Sequence, residues 1–145
     1  MTGLTWRGCT LARAVDDETL VRKVCSDADV ADSIVGFHAQ QAAEKLIKAV
    51  LAARGVTFVK SHSLSYLIGL VEENHIEAPD ELSEADVLSP WAVEFRYEGE
   101  EPPALDRSAA LVLVAQLRMW TESEIETADQ PPNPDQRQPD EVQPE

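Results

Sequence analysis

Apolar residues recur at three- and four-residue intervals along most of this chain, and no stretch shows the period-two alternation that a half-buried strand requires. Residues 4–25 place Leu11, Ala14, Val15, Val21, Val24 and Cys25 at helical spacing, opposite a polar face with Arg13, Asp16, Asp17 and Arg22. They predict an amphipathic first helix. The second helix, residues 29–54, has the widest apolar arc: Val35, Ala39, Ala42, Leu46, Val50 and Ala53 form a seam that Ile34, Phe37, Ala43, Ile47 and Leu51 broaden. So broad an arc predicts a central helix touched by several partners. Asp29 is placed to cap its start, and Gly55 stands where a left-handed residue would end it.

A third helix is expected over residues 63–74, where Leu64, Leu67, Ile68 and Val71 keep the helical period and Ser61 or Ser63 offers a cap. Residues 79–88 read as a short acidic helix or turn. Ser89–Pro90 then predicts a restart, a capping Ser followed by Pro at the first helical position, with Trp91 and Phe95 one turn apart. After Gly99, Pro102 and Pro103, a last amphipathic helix is traced by Leu105, Ala109, Val112, Leu113, Gln116, Leu117 and Trp120. The expectation is an all-α antiparallel four-helix bundle with a short extra helix.

Composition divides the chain in two. Residues 121–145 hold five of the nine prolines and eight acidic residues against the single basic Arg137, which predicts a disordered acidic tail behind a folded domain of residues 1–120. The whole chain carries 12 Lys and Arg against 27 Asp and Glu, a formal charge of -15 that opposes nonspecific attraction to nucleic acid or anionic lipid. Between residues 71 and 106 twelve acids surround one base, Arg96. The longest apolar run, residues 109–115, falls far short of the roughly 20 residues a spanning helix needs. Cys9 and Cys25 suit neither a disulfide framework nor a metal site. A soluble cytoplasmic protein without metal or cofactor is expected, and no phosphate-binding glycine loop or nucleophile elbow occurs.

The run Phe37-His38-Ala39-Gln40-Gln41-Ala42-Ala43-Glu44-Lys45, then Lys60-Ser61-His62-Ser63-Leu64, then Ala92-Val93-Glu94-Phe95-Arg96-Tyr97 closely resembles the HEPN family, with the three blocks in the family's order. The likeness spans about residues 11–120. It implies a bundle whose two longest helices pack antiparallel, often as a homodimer, sometimes encoded beside a minimal nucleotidyltransferase. Many such proteins are metal-independent ribonucleases, and others are noncatalytic partners or nucleotide-binding modules.

The ribonuclease branch resembles Arg, four to six residues, then His, near the start of the last helix. An imidazole there moves protons at the ribose hydroxyl and leaving oxygen while the guanidinium stabilises charge on phosphate. Arg96 lies in the right region, but Glu101, Pro102 and Pro103 stand where His belongs, and no histidine follows His75. Tyr97 is left as the neighbouring proton donor, a poor general base with a phenol pKa near 10. The other reading of Arg96 pairs it with Glu94, Glu98 or Glu100.

His38, Gln41, Glu44 and Lys48 form one polar strip on the second helix, with Lys45 beside it. They, with His62 and Arg96, are the nucleotide-binding candidates, through amide contacts to a base edge and lysine contacts to phosphate. The structural reading makes Glu44–Lys48 a helix ion pair, uses Gln40 and Gln41 to satisfy buried polar groups, and gives His62 a loop-packing or capping role. Three functions follow as expectations: a dimeric noncatalytic module partnering a minimal nucleotidyltransferase in a toxin–antitoxin-like or nucleotide-responsive system, a divergent ribonuclease toxin using Arg96, and a small-nucleotide-binding module.

Overall fold

The computed structural model describes residues 3–92 and 104–129, with side chains over 10–92 and 104–128. Its elements are α1 (Gly3–Val24), α2 (Asp32–Ala53), α3 (Leu64–Glu73), α4 (Glu81–Glu84), a 3-10 helix (Ala85–Trp91) and α5 (Arg107–Asp129), and no strand occurs among the described residues. The all-helical expectation is met. No described helix is long and apolar enough to cross a membrane.

The wide apolar arc of α2 makes it the hub. Val35, Ala39, Ala42, Ala43, Leu46, Ile47, Val50 and Leu51 are all buried, and they meet Ala14 and Val21 of α1, Leu64, Leu67 and Val71 of α3, and Leu113, Val114 and Leu117 of α5 in one core. Cross-helix bonds set the directions. Arg107 reaches Asp32 and Thr121 reaches the Leu46 carbonyl, so α5 runs parallel to α2, against the expectation of an antiparallel bundle throughout. Arg107 also reaches Val24 O, whereas Arg118 reaches Glu18, so α1 runs antiparallel to α5. Two parallel helices need a return path, and the segment carrying α3, α4 and the 3-10 helix provides it.

The C-terminus of α2 ends as its sequence predicts. Gly55 has φ +72°, the Val56 N–H donates to Leu51 O at 2.8 Å, and the Gly55 N–H donates to Ala52 O at 3.1 Å. These are the two bonds of a Schellman motif, which a glycine accommodates without strain. Ser63 caps α3, its Oγ accepting from the Tyr66 N–H at 3.2 Å. Ser63→Ala is expected to cost about 1 kcal/mol, read from the denaturation midpoint.

Three expectations are corrected. Asp29 does not cap α2: the N-cap is Ala31, without a side-chain bond, and the Asp29 N–H donates instead to Asp27 Oδ1 at 2.9 Å in a local turn. Ser89–Pro90 does not restart a helix. The 3-10 helix runs through Pro90, whose fixed φ suits that geometry, and Ser89 Oγ donates back to Asp86 Oδ1 at 2.6 Å. The last helix does not stop at residue 120. Thr121 is buried and its single hydroxyl proton is shared between Leu117 O at 2.8 Å and Leu46 O at 3.2 Å, while Glu124 pairs with Arg54 of α2's C-cap at 2.9 Å. All five prolines of the acidic stretch lie at or beyond residue 131, so averaging over 121–145 hid nine helix-competent residues. Phe95 and residues 130–145 lie outside the described residues.

Candidate functional site

The polar strip of α2 becomes two clusters once α1 and the loop before α3 are in place. Asp17 arrives from α1. Its Oδ1 accepts from His38 Nδ1 at 2.9 Å and its Oδ2 accepts from Lys45 Nζ at 2.6 Å. His38 and Lys45 stand seven residues apart, two turns along one face, so a single carboxylate from the antiparallel neighbour bridges them.

Glu44 centres the second cluster and is only 4% exposed. A buried carboxylate needs donors on its oxygens, and four bonds from three side chains supply them. Lys48 Nζ donates to Oε2 at 3.0 Å, His62 Nδ1 lies 3.0 Å from Oε2 and 3.2 Å from Oε1, and Gln40 Nε2 donates to Oε1 at 3.3 Å. Gln40 is itself buried. It also donates to the His62 carbonyl at 3.3 Å and accepts from Gln41 Nε2 at 2.8 Å. The strip thereby ties α2 to α1 through Asp17 and to the loop before α3 through His62.

Ionised carboxylates only accept, so Nδ1 is the protonated nitrogen in both imidazoles and Nε2 is directed away from the carboxylate. His62 is 67% exposed and His38 about one quarter. Each lysine in the strip has one carboxylate, leaving no surplus positive charge for an anion. The His62 imidazole, the more exposed of the two, can exchange hydrogen bonds with a ligand through Nε2.

The six described candidates fall into these two clusters, His38 and Lys45 on Asp17, and Lys48, His62 and, through Gln40, Gln41 on Glu44. The Glu44–Lys48 helix pair and the satisfying role of Gln40 are both realised. Asp17 was legible only as one of several polar residues on α1, because its partners lie 21 and 28 positions away. Arg96 and Tyr97 lie outside the described residues. Among the described residues no group of three His, Cys, Asp or Glu is placed to hold a metal ion.

An all-helical bundle centred on a polar-edged α2 defines the class. A family model for the HEPN domain matches residues 21–128, and the chain belongs to the HEPN family. No curated protein and no solved structure matches the chain.

Proposed function

We propose that this chain is a noncatalytic HEPN module that dimerises and partners a minimal nucleotidyltransferase in a toxin–antitoxin-like or nucleotide-responsive system. The observation that carries the reading is the missing acid–base residue. Arg96 has no histidine after it, and without a proton-transferring group a guanidinium stabilises phosphate charge but cleaves nothing. The charge-balanced strip on α2 supports the same reading, since its carboxylates are engaged in joining helices.

Co-expression with the candidate nucleotidyltransferase is expected to give a single species on size-exclusion chromatography, and separate migration would refute the partnership. Metal-free cleavage of a mixed RNA pool, run with chelator and beside Arg96→Ala, tests the catalytic side. No cleavage by either protein is expected. Cleavage by the native chain that disappears in Arg96→Ala would make this a ribonuclease with an unusual proton donor, Tyr97 being the nearest by sequence.

A further inference from the structure

An apolar hollow of about 770 Å³ opens between α4, the 3-10 helix and the first turns of α5, on elements other than those that carry the polar strip. Leu88, Trp91 and Leu113 form its buried floor. Its lips are Val87, 66% exposed, and Val112, 57% exposed. Large apolar side chains left this open are unfavourable in water, and when they gather beside a hollow they mark a contact surface. The apolar stripe continues on α5 to Met119, 56% exposed and two turns beyond Val112, about 10 Å along the axis.

Charge selects the occupant. Glu81, Glu84 and Asp106 line the hollow, and no Lys or Arg is among its described lining residues. An apolar trough with an acidic border complements a helix that has one apolar row and basic flanks, the row being spaced at i, i+3 or i+4, and i+7. We propose that this hollow is a docking groove for a basic amphipathic helix of a partner protein. The row enters between Val87 and Val112 and extends toward Met119, and Lys or Arg on its flanks face Glu81, Glu84 and Asp106. The inference is independent of the nucleotidyltransferase reading, since it identifies the partner segment by its chemistry alone.

Fluorescence anisotropy with the full chain tests it. The probe is a labelled peptide of about 18 residues, long enough to form a helix, with Leu on one face and Lys elsewhere. A control peptide has the same composition with the Leu scattered. The patterned peptide is expected to bind about tenfold more tightly than the control, and Val87→Ser with Val112→Ser to remove about that factor without lowering the melting temperature. Met119→Ser weakens binding by less, and Glu81→Gln with Glu84→Gln reduces its salt dependence. Equal binding of the two peptides would overturn the proposal, because attraction to the net negative charge then explains everything. So would sedimentation showing that Val112→Ser dissolves a dimer while no peptide binds, which would give this face to a second copy of the chain.

Discussion

Gly36→Ala is expected to destabilise the fold by about 2 kcal/mol, opposite in sign to what helix propensity alone gives. An Ala normally gains up to about 1 kcal/mol over Gly inside a helix. Here a Cβ on Gly36 would stand 2.5, 2.6 and 2.8 Å from three ring carbons of Trp91. Trp91 is a rigid indole, 2% exposed, and part of the same core as α2. Relief requires moving the 3-10 helix off α2, an overpacking cost of about 3 kcal/mol that exceeds the propensity gain. Gly69→Ala supplies the control, because the nearest atom to its Cβ is the end of Glu73 at 4.0 Å. That variant should be neutral or slightly more stable. Thermal denaturation of the pair decides: a drop of several degrees for Gly36→Ala with none for Gly69→Ala is expected, and equal behaviour would show that Trp91 yields freely.

Arg107→Ala is expected to cost about 3 kcal/mol. The Arg107 guanidinium, at the first residue of α5, gathers the whole turn between α1 and α2. It donates to the carbonyls of Val24 and Cys25 at 3.4 Å, to Asp27 O at 3.0 Å, to Val30 O, and to Asp32 Oδ1 at 2.8 Å. Val24 O, at the end of α1, also accepts from the Asp27 N–H at 2.9 Å, and a cation beside the last carbonyls meets the negative end of the helix dipole. Asp32 completes the arrangement from the first turn of α2. Arg107→Lys keeps the charge but not the planar fork, so it should recover less than half of the loss. Urea denaturation gives the energies, and faster amide exchange confined to residues 26–31 in Arg107→Lys would confirm where the bonds act. If Arg107→Ala unfolds at the native midpoint, the cluster is a surface decoration.

The family was legible before any coordinates because its longest motif lies on α2, the helix that touches α1, α3, α5 and the 3-10 helix. Ala39 and Ala43 of that motif are fully buried in the core, and Gly55, whose positive φ only glycine adopts easily, marks the helix end in the sequence. The polar strip was legible in part. Glu44 and Lys48 are helix neighbours, so spacing alone pairs them, whereas Asp17 and His62 come from elements whose approach to α2 no local pattern encodes. The missing histidine was also a sequence fact, and it still governs the functional reading.

Local period and backbone chemistry, then, determined the helices and the hub, because those depend on residues within a few positions of one another, while the three motif blocks marked the family by resemblance. Tertiary structure decided what depends on distance along the chain. It set the parallel course of α5 beside α2, and it gave Arg107 partners 75 to 83 residues away. It brought Trp91 onto Gly36, and it carried α5 past residue 120 because Thr121 and Glu124 found partners on α2 and its C-cap. A side chain's sequence neighbours fix its helix face, but the atoms that satisfy its polar groups are chosen only when the helices meet.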